Sequence, residues 1–185
     1  MHQATMKLSI LLATLLASAL TSHSQEHKLT GENTTIKFVG SKKDGKHEGS
    51  FKKVDGVLTV DAADIAKSKL TLTIDIESMT TDAEKLTAHL KSPDFFDAKA
   101  NPTAKFVSTA IKAGEGKDTY SITGDLTLLG KTNPVTFQAK AVTAEGTTTV
   151  SGQVGIKRSL WGMSYGMEKV NDEVQLTLAV KVNAK

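Results

Sequence analysis

The 185-residue chain contains no cysteine, which excludes disulfides, thiolate zinc sites and cysteine nucleophiles. Lipid attachment at a processed N-terminus needs a cysteine, so no such anchor is expected. Aromatic residues are scarce, with six Phe, two Tyr and one Trp. Basic residues such as Lys42-Lys43, Lys52-Lys53, Lys67 and Lys69 are scattered among acids, and the formal net charge is only +3. Without a clustered basic face, nucleic-acid binding is not expected. No GxSxG elbow, phosphate-binding loop or GxGxxG turn occurs. His27, His47 and His89 are far apart and never at HxH or HxxxH spacing, so no metal site and no cofactor is expected. A lipid hydrolase would need Ser92 or Ser159 beside His89.

The chain also lacks a hydrophobic run long enough to span a bilayer, which takes about 20 apolar residues. Its one apolar stretch, Leu8 to Leu20, follows Lys7 and leads into Thr21-Ser22-His23-Ser24. A basic start, a short apolar core and a small-residue exit predict a secretory signal peptide over residues 1–24. Cleavage after Ser24 is favoured over Ala19, because regular patterning begins at Glu26. The mature domain, residues 25–185, is long enough to bury one core, and losing Lys7 lowers its formal charge to +2. No stable membrane anchor is expected after processing.

From Glu26 onward the period is two. Leu70, Leu72, Ile74 and Ile76 alternate with Thr71, Thr73, Asp75 and Glu77, and the pattern recurs from Val174 to Val182. Alternation of this kind predicts strands with one face inward. Shorter runs of it cover 34–41, 47–61, 105–113, 119–129, 135–142 and 147–158. Asp44-Gly45, Gly114-Glu115-Gly116, Gly130-Lys131 and Glu145-Gly146 fall between them as turns. The expectation is all-β: an antiparallel, lipocalin-like eight-stranded barrel, with a sandwich as the alternative. Thr81 to Leu90 is the one predicted helix, capped by Thr81 or Asp82 and ended by Ser92-Pro93. It belongs to a long insertion whose Phe95-Phe96 pair either plugs the core or flaps over a pocket.

An eight-stranded barrel is just wide enough to be filled by side chains or to hold one ligand. Medium aliphatic groups with few aromatics would fill such a lumen loosely, which close packing disfavours.

Four stretches together resemble the YceI-like family over nearly the whole mature chain. They are Gly49-Ser50-Phe51 with Val54 to Leu58; His89 to Asp97 with Asn101-Pro102-Thr103 and Phe106; Ile122 to Val135; and Ile156 to Met163 with Asp172-Glu173-Val174. The resemblance implies an exported bacterial carrier, not an enzyme. It would bind a long-chain amphiphile (a polyisoprenoid, isoprenoid quinone or fatty-acid derivative) inside the barrel, and a homodimer is compatible with it. About 15 buried carbons at about 0.8 kcal/mol each give roughly 12 kcal/mol gross. The expected wall is Phe38, Val57, Leu72, Ile74, Leu126, Leu128, Phe137, Ile156, Leu176 and Leu178. Phe95, Phe96 and Trp161 are expected near the opening, and His89 is expected to reach the mouth. Where relatives commonly carry an acid, this chain has Leu160, expected to form an apolar wall. Arg158 is expected to point outward or pair with an acid rather than face a headgroup. The competing class is a non-enzymatic β-barrel interaction module with a filled core.

Overall fold

Alternating burial marks most strands of the computed structural model, which describes residues 24–183. In β5 (Lys69–Asp75), Leu70, Leu72 and Ile74 are buried while Thr71 and Thr73 are partly exposed. The other strands are β1 (Ser24–Thr30), β2 (Thr34–Lys42), β3 (Gly45–Phe51), β4 (Val54–Asp61), β6 (Met79–Thr81), β7 (Thr103–Ala113), β8 (Thr119–Leu128), β9 (Lys131–Ala144), β10 (Thr147–Lys157) and β11 (Val170–Asn183). All neighbours pair antiparallel, in the order β1-β4-β5-β7-β8-β9-β10-β11-β2-β3-β6.

That order forces the sheet to curl. Residues 31–33 join β1, first in the order, to β2, ninth. Lys52 and Lys53 alone join β3, tenth, to β4, second, and a 3-10 turn at Ile76–Ser78 joins β5 to β6. Strands lie about 4.8 Å apart, so two or three residues cannot cross an open sheet of this width. The two ends must therefore meet. Lys52 N–H donates to the Ser78 carbonyl (3.2 Å) and Asp75 N–H to the Lys53 carbonyl (3.1 Å) at the corner where the two ends meet. The Ser78 hydroxyl also accepts from the N–H groups of Lys52 and Lys53.

The architecture is the expected antiparallel barrel class, but with eleven strand segments instead of eight. The run 47–61 is broken at Lys52-Lys53, where the chain changes from one end of the sheet order to the other. β1 and β6 had not been anticipated. Two hairpins close through two-residue turns with both residues at positive φ: Leu129-Gly130 (50°, 68°) and Glu145-Gly146 (50°, 74°). Such turns match strand twist.

The helix α1 (Glu84–Lys91) forms where expected, but neither Thr81 nor Asp82 caps it. Ala83 occupies the cap position without a side-chain bond. The Thr81 hydroxyl instead donates to the Ala83 carbonyl, and Asp82 pairs with His47. The signal-peptide reading concerns residues 1–24, all but Ser24 outside the described residues. Among the described residues, no helix is long and apolar enough to cross a membrane.

Candidate ligand-binding site

One end of the barrel interior is packed. Leu58, Leu70, Ile122, Phe137, Ala139 and Val180 are buried there and leave a void of only about 20 Å³. Phe106 and Phe137 pack with ring centroids 5.9 Å apart. Their rings sit against Gly124 and Gly152, where an added Cβ would collide with them.

The opposite end holds a cavity of about 300 Å³. Inward residues from the mouth-side ends of the strands form its wall: Phe38 and Gly40 of β2, Phe51 of β3, Ile74 of β5, Ala104 of β7, Leu126 and Leu128 of β8, Ile156 of β10, and Val174 and Leu176 of β11. The insertion between β6 and β7 covers it with Leu86, His89, Leu90, Phe95 and Phe96. Leu86 and Leu90 lie four apart on one helix face.

Two aromatic groups frame the mouth. The Phe95 and His89 rings meet edge-on at 5.0 Å, and Tyr165 packs on both, 5.3 Å from Phe95 and 4.9 Å from His89. Phe96 packs edge-on against Phe51 (6.3 Å), which in turn touches Phe38 (5.5 Å). Two histidine–carboxylate hydrogen bonds lie at the cover: His47 Nδ1 is 3.0 Å from Asp82 Oδ1, and His89 Nε2 is 2.9 Å from Asp94 Oδ2.

Of the expected residues, Phe38, Ile74, His89, Phe95, Phe96, Leu126, Leu128, Ile156 and Leu176 come together around this cavity. Val57 does not: it is 40% exposed, and Gly56 and Leu58 take the inward positions of β4. A one-residue slip moves a strand's side chains to the other face. Leu72 is core and borders neither cavity. Phe137 and Leu178 line the small void at the packed end. Trp161 is 1% exposed and not at the opening; its indole N–H donates to the Leu126 carbonyl (2.9 Å). Leu160 forms no wall and faces solvent at 55% exposure. Met163, Tyr165 and Val170 join the site without having been anticipated: Met163 and Tyr165 lie on an irregular loop that no periodicity marks, and Val170 opens β11 ahead of its register shift.

Arg158 is buried, neither outward nor in an ion pair. The β11–β2 register shifts between Val170 and Val174, so carbonyls there are left off that ladder. Arg158 Nε donates to the Asn171 carbonyl (3.2 Å), Nη1 to Met163 (2.8 Å) and Nη2 to Val170 (3.1 Å). Its guanidinium carbon lies 5.9 Å from the Phe95 ring centroid. Burial lowers its proton affinity below the usual range, against an opposing effect of the Asp172 charge. Burial disfavours the ionised Asp172 carboxylate. Hydrogen bonds from the Ser159 hydroxyl (2.7 Å) and N–H (2.9 Å), with the charges of Arg158 and Lys157, outweigh this and hold its carboxyl below the usual range.

Neither Ser92 nor Ser159 is hydrogen-bonded to His89. His89 faces Asp94, Ser159 donates to Asp172, and Ser92 accepts from the Asp94 N–H. Among the described residues no group of three or more metal-binding side chains converges.

A curled antiparallel sheet around an apolar cavity, covered by a helical insertion, defines a lipocalin-like barrel. Residues 27–182 match the YceI-like domain, and the chain belongs to that family. It is 34% identical over 140 residues to a UPF0312 protein of Pseudomonas aeruginosa strain LESB58, covering 72% of each chain. A UPF0312 protein of Pseudomonas putida strain W619 is 45% identical over 91 residues, 49% of this chain and 47% of that one. The chain thus spans about half the length of these Pseudomonas putida relatives. Among solved structures, Burkholderia cenocepacia BcnA superposes with a TM-score of 0.75 at 32% identity, covering 81% of this chain and 96% of that one. A polyisoprenoid binding domain from Saccharophagus degradans shares the fold at 15% identity, with a TM-score of 0.64 over 86% and 98% of the two chains.

Proposed function

We propose that the protein is an exported, non-enzymatic carrier that holds a long-chain amphiphilic lipid in the hollow end of its barrel. The ligand class is a polyisoprenoid, an isoprenoid quinone or a fatty-acid derivative. The observation that carries this reading is the apolar cavity of about 300 Å³ beneath the aromatic cover. Interiors normally pack closely, and an unfilled lumen forfeits dispersion contacts along its whole wall. A bound chain restores them. The volume lies at the low end of ligand pockets, roughly 300–1,000 Å³, so it takes one segment of a long chain and leaves the remainder to the mouth. The Saccharophagus degradans domain is described as polyisoprenoid binding, and its likeness to this chain supports the fold. Export rests on the basic, apolar and small-residue pattern of residues 1–24, and the periplasm or the medium is the corresponding location.

Organic extraction of the gently purified mature protein, followed by mass spectrometry, tests the reading. A stoichiometric long-chain isoprenoid or acyl compound is the expected result. A clean extract, repeated after incubation with envelope lipids, would favour an interaction module instead.

A further inference from the structure

The cavity wall has a one-sided charge. Its ionisable residues are Arg158, Lys42, His47, His89 and Tyr165; it contains no Asp and no Glu. Both histidines already face carboxylates of the cover, Asp82 and Asp94. Arg158 differs. It is 3% exposed, and among the described residues no carboxylate lies within ion-pair distance of it. A guanidinium carries five N–H donors, and three are used on the carbonyls of Met163, Val170 and Asn171. Carbonyl dipoles orient the cation without neutralising it. The Asp172 charge acts on it from beyond ion-pair distance and is itself held by Ser159. A buried cation so incompletely compensated is costly, and a ligand that brings a negative charge against it relieves part of that cost.

Resting on the carrier reading, we infer that the cavity selects amphiphiles whose head is an anionic oxygen group, a carboxylate or a phosphate, taken up against Arg158. The head enters beneath Phe95, over whose ring the guanidinium already lies. The chain then runs along Ile156, Leu128 and Leu176. The guanidinium fork offers paired N–H donors suited to either oxyanion. Leu160 contributes nothing here, being exposed. The selectivity belongs to the buried Arg158 at the start of the same segment.

The test compares dodecanoate, dodecyl phosphate and dodecanol by titration calorimetry at pH 7 on wild type, Arg158→Met and Arg158→Lys. Wild type is expected to bind at least one anion about tenfold or more tighter than the alcohol, and whichever anion wins identifies the head. Arg158→Met is expected to lose that preference while keeping its affinity for dodecanol, and Arg158→Lys to keep part of it. Equal wild-type affinities, or a preference that survives in Arg158→Met, would overturn the inference and leave the carrier reading standing. Parallel loss of all three ligands in a folded Arg158→Met would also overturn it, since that marks a purely structural arginine. Failure of all three to bind wild type would overturn the carrier reading and this inference with it. If Arg158→Met does not fold, the wild type still decides. The bound carboxyl of carbon-13-labelled dodecanoate should titrate below a free fatty acid if it faces the guanidinium, and above it if the head lies in an apolar wall.

Discussion

Leu70 and Ile74 lie four residues apart on β5, and Ile122 and Leu128 six apart on β8, all buried on the inward face. Yet Leu70 and Ile122 border a void of about 20 Å³, whereas Ile74 and Leu128 border a cavity of about 300 Å³. The two ends of the barrel share strands, period and residue classes. They differ in what fills the middle. At the packed end the rings of Phe106 and Phe137 occupy the space above Gly124 and Gly152. At the hollow end Gly40 also faces inward, but an added Cβ there meets nothing within 4 Å. Phe38 covers Gly49 at the hollow end too, so it is Gly40, with no ring over it, that leaves space there.

The sharpest way to separate the two ends is to remove a ring from the packed one. Phe137→Ala is expected to cost about 3–5 kcal/mol of unfolding free energy with little change in lipid content per folded protein. Denaturant melts with paired lipid extraction measure both. A loss of lipid as large as the loss of stability would merge the two ends into one functional unit.

The Phe95→Ala, Phe96→Ala double variant makes the complementary cut. It is expected to lose about 2–3 kcal/mol, less than two core rings would, because Phe96 is only partly buried and both rings border empty space. Lipid retention in a transfer assay should fall by tenfold or more. Retention equal to wild type would make the pair a plug instead of a flap. Leu128→Ala should cost about 2 kcal/mol, the low end for a buried leucine, since part of its surface already faces a void. A cost near 5 kcal/mol would show that the cavity is filled in solution even without added lipid.

The smallest expected effect concerns the loop that closes the hollow end. Asp172 holds Ser159 by two hydrogen bonds, and Asp172→Asn should cost about 1 kcal/mol at pH 7. The folded-state carboxyl lies below its usual range. Its contribution is therefore complete above the unfolded-state pKa of about 3.9 and is lost as pH falls through the lower folded-state value. The gap in melting temperature between wild type and Asp172→Asn should close over that acid window. A gap that persisted under acid would assign the effect to packing.

The strands were legible in the sequence wherever apolar residues alternate strictly, as in β5 and β11. β1 was not, because Leu29 is its only fully buried residue, and β6 has three residues, too few to show a period. The inward face of β4 was misread because Val54, Val57, Leu58 and Val60 place apolar groups on both faces, so alternation alone could not choose between them. Depth was illegible throughout: Leu178 and Leu176 share a face of β11, yet one lines the small void and the other the cavity. The contact of the Phe137 ring with Gly152 that fills the packed end is made between neighbouring strands, where no local pattern records it. Arg158 was misjudged because its partners are main-chain carbonyls, which side-chain identity does not reveal.

The central claim is that the hollow end is vacant space kept for lipid, and filling it tests that claim most directly. Gly40→Leu places a side chain on the inward face of β2, where the structure has room for it. The measurement is lipid content by extraction together with melting temperature, on wild type and Gly40→Leu. The expected result is a variant at least as stable as wild type that carries several-fold less lipid. Undiminished lipid in a stable Gly40→Leu would contradict the claim and place the ligand elsewhere.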